Sequence, residues 1–230
     1  MKIPKTKKAK ELQNLLAKHH GKVLSPIVNH VYQYLTDVEN RYKLTLNHTD
    51  RGMGFDLHEP FKKESFTKGY NELGVYQIFI NDIPFYTGEG IMNNRISRFC
   101  KAVLGENRYD EGHKAGDYIY KNIQNGRFNK DILNTIYVSY LSINDFMPMY
   151  ESTNLKFTDI TGEYIDTKDH IKKLSIEQGF NKSKPMTYYI EKIIMNKIGS
   201  ILNTNNQSPS DIKYINERKF REKSFVSQTY

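Results

Sequence analysis

Tryptophan is absent and cysteine occurs once, as Cys100, in a chain of 230 residues. One thiol excludes a disulfide framework and a cysteine-based zinc site. No apolar run approaches the ~20 residues that a membrane-spanning helix needs, so no membrane partner is expected. The opening residues MKIPKTKKAKELQ lack the apolar stretch of a secretory signal. A reducing, cytoplasmic setting is the expectation. No internal repeat and no low-complexity segment interrupts the chain.

What is present is a basic excess that sits at the two ends. Residues 1–22 carry seven Lys and one Glu, and residues 208–230 carry five Lys/Arg and three acids. The body between them balances at 22 basic and 22 acidic residues. A neutral body with a basic arm suits an electrostatic hold on a polyanion, although a solubilising tail has the same composition. Hydrophobic residues make up 38%, with 17 Tyr and 12 Phe, enough for a core. The length suits one domain with extensions or two small domains.

Residues 5–20 read as a basic helix with Leu12, Leu15 and Leu16 on one face. Ser25-Pro26 is an N-cap followed by proline in the first turn, opening a second helix with Ile27, Val28, Val31, Leu35 and Val38 as its stripe. Residues 44–70 show no firm period and read as an irregular connector. GVYQIFI, residues 74–80, is a strand, Asn81-Asp82 starts a tight turn, and Pro84–Thr87 is a return strand. Helices are expected over Met92–Leu104 and His113–Gln124, and a strand over 132–141. Residues 142–184 are mixed, with strand-like pieces around Leu155–Ile165. Pro185 then opens a helix with Ile190, Ile194, Ile198 and Ile201 as its core face.

Four pieces carry chemistry. Gly74-Val75-Tyr76 starts one strand and Phe85-Tyr86-Thr87-Gly88 ends the next. Arg95 and Arg98 lie on the following helix. Glu191 lies off the isoleucine stripe of the last helix, and Asn203 follows it by twelve residues. Paired strands bring the two phenols together, and the next helix projects Arg95 toward the same end. Phenol, guanidinium and carboxylate in one place suit phosphodiester hydrolysis: proton acceptance, forked phosphate binding and a seat for one divalent cation.

These pieces, in this order, resemble the GIY-YIG nuclease superfamily over residues 74–203. The resemblance implies an α+β fold, a small three-stranded sheet flanked by helices, here with an N-terminal helical extension over 1–70. The nuclease-like domain would span 71–206 with an insertion at about 142–184, followed by a basic tail over 207–230. It also implies Mg2+-dependent cleavage of double-stranded DNA, with Mn2+ as a substitute. Tyr76 would be the general base, Tyr86 would position water or phosphate, Arg95 would hold the scissile phosphate and Glu191 would bind the metal. Asn203, after the helix that carries Glu191, would be a supporting catalytic residue.

The chain departs from the family pattern in places. Thr87 replaces an aliphatic residue, Glu89 stands where basic or polar residues are common, and Arg95 comes one residue early, leaving Arg98 as a rival. Phe99 replaces a His or Tyr that assists the base, and His113 is the substitute, with Tyr109 and Tyr120 as alternatives. The expected activity is a sequence-specific endonuclease, restriction-like or phage-type, in a bacterial or phage-infected cell. A single centre cuts one strand, so a homo-oligomer or sequential nicking would be needed for a double-strand cut. The alternative is a non-catalytic nucleic-acid-binding protein that keeps the fold.

Overall fold

The computed structural model describes residues 27–49, 52–58, 72–106, 112–145, 156–158, 164–166, 184–203 and 211–225. The helix expected over 5–20 and most of the 142–184 insertion lie outside them. Helix α1 covers residues 27–36 and is followed by a 3-10 turn, Val38–Asn40. Ile27, Val28, Val31 and Leu35 are buried as its stripe requires. Val38 falls on the 3-10 turn instead and is 54% exposed, because Asp37 ends the helix and caps the turn through Glu39 N–H.

Residues 44–70 contain two strands, not only a connector. Strands β1, Tyr42–Thr49, and β2, Gly52–His58, form an antiparallel hairpin. Strands β3, Leu73–Ile80, and β4, Ile83–Ile91, form a second hairpin. Asn81 and Asp82 both have positive φ, at 53° and 63°, which is the two-residue turn expected of this dipeptide. Helices α2, Met92–Val103, and α3, Lys114–Gln124, follow.

The strand expected over 132–141 begins later. Lys130–Thr135 is a 3-10 turn, held by the Asn129 side chain on Asp131 N–H and by Thr135 Oγ1 on Ile132 O. Strand β5 is Ile136–Ser142. Among the described residues, strands β6, Lys156–Thr158, and β7, Tyr164–Asp166, pair only with each other. Helix α4 is Lys184–Ile198 and helix α5 is Asp211–Ser224.

The fold is α+β, but the main sheet has five strands rather than three, all neighbours antiparallel, in the order β2-β1-β5-β3-β4. The three strands β5-β3-β4 are widened by the N-terminal hairpin through Tyr42↔Val138 and Lys43↔Tyr137. Strands β1 and β2, which lie before residue 71, therefore belong to the same sheet. Residues 74–80 of β3 are all buried, since both sheet faces are covered. Tyr76, Ile78 and Ile80 pack with Phe99 and Ile119 of α2 and α3. Val75 on the opposite face packs with Val31, Leu35, Ile190 and Ile194 of α1 and α4.

Two features bring the end of the chain to the outer edge of β4. Ile201 N–H donates to Pro84 O at 3.3 Å and Leu202 N–H to Phe85 O at 3.0 Å, covering an edge that would otherwise expose its peptide groups. Helix α5 is docked rather than a loose tail. Asn216 Nδ2 donates to Ile198 O and Gly199 O at the end of α4, and Phe220 packs on Phe85 and Phe128. Among the described residues no helix is long and apolar enough to cross a membrane.

Candidate active site

Tyr76 lies in the middle of β3, opposite Gly88 in the register, while Tyr86 lies opposite Ile78. The two tyrosines are thus diagonal neighbours on one sheet face, with ring centroids 6.1 Å apart. The register shifts between Ile78 and Phe79, so Phe85 has no partner across the hairpin. The extra residue lets both Phe85 and Tyr86 join the core on the α2/α3 side.

Glycine at position 88 is what admits the phenol. A Cβ built there would sit 2.4 Å from both Cζ and Oη of Tyr76. The Tyr76 ring therefore lies across the β4 backbone and presents its hydroxyl to His113. That hydroxyl is 3.0 Å from His113 Nε2, and both side chains are buried. His113 precedes α3 and fills a box of aromatic rings. Its ring centroid is 4.9 Å from Tyr86, and Phe99 meets it edge-on at 5.3 Å. Phe99 is a wall of the box, and the His113 imidazole fills it.

The electrostatics follow from the burial. Desolvation, with Arg95 next, pushes the His113 pKa down to about 3, so its imidazole is neutral at physiological pH. Tyr76 Oη and His113 Nε2 share a hydrogen bond in which Nε2 is the acceptor when the ring proton is on Nδ1 and the donor when it is on Nε2; Nδ1 is buried and makes no well-formed side-chain hydrogen bond. Burial also holds the Tyr76 phenol well above its ordinary value. Tyr86 adds to this, Arg95 opposes it, and Glu191 and Glu89 add further. The Tyr86 phenol is raised by burial and then by Glu191, again against Arg95.

Arg95 acts on all three of these groups, whereas Arg98 appears only as a minor influence on His113 and is exposed. The arginine at the centre of the cluster is Arg95. Its Nε–H donates to Glu89 O at 2.9 Å, and its Nη2 lies 3.8 Å from Glu89 Oε1. Glu191 is buried on α4, beside the core residue Ile190, and close enough to influence both phenols.

Asn203 does not reach the phenols. Its Oδ1 accepts from Thr87 N–H and its Nδ2 donates to Thr87 O, both at 2.7 Å. The carboxamide behaves as one more peptide group added to the edge of β4. On the other side of Thr87, its hydroxyl lies 2.6 Å from Gln77 Oε1 and 2.7 Å from Ser200 Oγ, and Ser200 Oγ reaches Gln77 Oε1 at 3.1 Å. A threonine at this position, rather than an aliphatic residue, therefore ties β3, β4 and the end of α4 together.

No family model matches the chain, and no curated protein or solved structure matches it either.

The structure brings Tyr76, Tyr86, Arg95, His113 and Glu191 into one cluster and sets Asn203 beneath it as a brace. Two participants are not nominated from the sequence. Glu89 reads there only as a departure from a position where basic or polar residues are common, yet it is the buried partner of Arg95. A charged residue between Gly88 and Gly90 at a strand end is the signal that points to it. The Gln77–Thr87–Ser200 network has no sequence signal, because its members are far apart in the chain. Among the described residues no group of three or more His, Cys, Asp or Glu converges as a metal cluster.

Proposed function

We propose that this protein is a metal-dependent endonuclease that hydrolyses phosphodiester bonds in double-stranded DNA. The observation that carries the reading is the buried Tyr76–His113 hydrogen bond, set beside a second phenol, a guanidinium and a buried carboxylate. Such a set has little use in a passive binding surface, where a buried glutamate and a neutral buried histidine are both costly.

The donor set fits Mg2+, with Mn2+ as a substitute. That ion is held by one or two carboxylates, keeps several waters and takes its other ligands from the substrate. Glu191 is the residue that would hold it. When bound, the ion would lower the charge barrier at the scissile phosphate and at the leaving oxygen.

The chain's own groups do the rest. Arg95 binds a non-bridging phosphate oxygen through its guanidinium N–H groups. Tyr86 donates its O–H to the attacking water or to the phosphate and fixes its line of approach. Tyr76 Oη accepts the proton of that water while its own proton passes to His113 Nε2; the water oxygen bonds to phosphorus as the bond from phosphorus to the leaving oxygen breaks, and that oxygen takes its proton from solvent water. This relay keeps the phenol neutral and puts the positive charge on His113, whose protonation burial and Arg95 oppose in the substrate-free site. The bound phosphate brings negative charge that offsets Arg95 and makes His113 a better acceptor. Asn203 and the Thr87 network keep β4, and so Tyr86, in place.

The basic arm over residues 1–22 supports DNA as the polyanion. One such centre cuts one strand, so double-strand cleavage would take two copies or two successive nicks. The reading extends to a sequence-specific, restriction-like or phage-encoded enzyme of the cytoplasm. The test is nicking of supercoiled plasmid with and without Mg2+, using the wild type and Tyr76→Phe. Wild-type nicking that needs the metal and the hydroxyl is expected. Binding with no cleavage in Mg2+ or Mn2+ would favour a non-catalytic DNA-binding protein.

A further inference from the structure

The contact between Arg95 and Glu89 is built from several independent features. Glu89 engages the guanidinium twice, with its backbone oxygen on Nε–H and its carboxylate facing Nη2. Gly90 has φ of 138°, and a Cβ there would lie 2.6 Å from Arg95 Nε, so the chain bends around the arginine at a residue that must be glycine. The Glu89 side chain is 8% exposed and that of Arg95 is 36% exposed. A substrate phosphate can therefore reach the cation but not its partner.

We propose that Glu89 is a positioning residue that presets the Arg95 guanidinium for a DNA phosphate and in doing so gives up part of that arginine's binding strength. The inference rests on the reading of the site as one that takes DNA phosphates. A long arginine side chain loses considerable rotamer freedom when it is fixed. Two anchors on Glu89 meet that cost before substrate arrives and leave a defined edge of the planar fork for the phosphate. The carboxylate, in turn, competes with the phosphate for the same positive charge. Removing it should have opposite effects on binding and on cleavage, which a merely structural glutamate would not.

The experiment is a double-mutant cycle of wild type, Glu89→Gln, Arg95→Ala and the double variant. It reads the affinity for duplex DNA against salt in the absence of divalent metal, and the single-turnover cleavage rate in Mg2+. Glu89→Gln is expected to bind at least as tightly, with a log–log salt slope steeper by up to about 0.9, because Arg95 then carries its full charge to a phosphate. The same variant is expected to cleave on the order of 10- to 100-fold more slowly, because the guanidinium is no longer held in line. Both effects should vanish in the Arg95→Ala background.

Parallel loss of binding and cleavage, no change in either, or effects that persist without Arg95 would each overturn the proposal. If Glu89→Gln does not fold, Glu89→Asp takes its place in the cycle. That variant keeps the charge but withdraws it, and the same split in smaller measure is expected. If the wild type binds DNA but never cuts, the endonuclease reading fails and the salt slopes alone decide the role of Glu89. If the wild type does not bind DNA at all, both fall together.

Discussion

Tyr76 Oη and His113 Nε2 are 3.0 Å apart, in a setting where burial disfavours charge on either group. A phenol that resists ionisation is paired with an imidazole that resists protonation, so the resting pair is neutral and the phenol releases its proton to the imidazole only as it takes one from the attacking water. Tyr76→Phe removes only the hydroxyl and should slow cleavage by roughly 10²–10⁴-fold. His113→Ala should cleave more slowly, with its optimum at higher pH, because the phenol must then lose its proton to water. A single-turnover pH–rate profile of the three proteins decides this. A wild-type rate in Tyr76→Phe would remove the phenol from the mechanism.

His113 also makes a stability prediction. Its pKa is about 3 in the folded protein against 6.5 for the free side chain, so the unfolded chain binds the proton first. Its neutral, buried form is therefore in place above pH 6.5, and stability falls as pH drops from there toward 3. For one histidine the slope reaches about 1.4 kcal/mol per pH unit. Urea unfolding of wild type and His113→Gln between pH 7 and 4 should show the shallower dependence in the variant. Parallel curves would mean that the histidine is protonated in the fold.

Glu191→Gln keeps size and polarity but removes the only carboxylate assigned to the metal. DNA binding without divalent ion and the melting temperature should be close to wild type, while Mg2+-dependent nicking drops by several orders of magnitude. Retention of full activity would place the metal elsewhere.

Gly88→Ala pushes a methyl group into the Tyr76 phenol, 2.4 Å from Cζ and Oη. Overpacking of this kind costs about 1–3 kcal/mol. The ring cannot keep its hydrogen bond to His113, so nicking should be lost even under conditions where the variant is folded. Activity retained at the wild-type level would show that the ring has another resting place.

Asn203→Ala removes both hydrogen bonds to the Thr87 backbone. Leaving these partly buried groups unpaired should cost about 1–3 kcal/mol in chemical unfolding. Cleavage should fall through a slower single-turnover rate, since Asn203 braces the strand that carries Tyr86. Asn203→Asp keeps the acceptor for Thr87 N–H and loses the donor, so it should fall between the two.

The sequence by itself determined the local elements and the order of the chemical groups. The β-branched and aromatic run of Val75–Ile80, the Asn81-Asp82 turn and the helical stripes of α1 and α4 are patterns of near neighbours, and short-range sterics and periodicity suffice to read them. The tertiary structure alone decided the rest. The pairing of β1 with β5 joins residues almost a hundred positions apart, and no local signal in 44–70 marks it. The seat of His113 against Tyr76 arises because α2 and α3 cover one face of β3 and Phe99 leaves room for an imidazole. Asn203 became a strand-edge brace, and Glu89 the partner of Arg95, because β4 is an edge strand whose end must be covered and bent. Hydrogen-bond satisfaction at an edge and close approach at Gly88 and Gly90 depend on what the fold places beside them, which residue order does not encode locally.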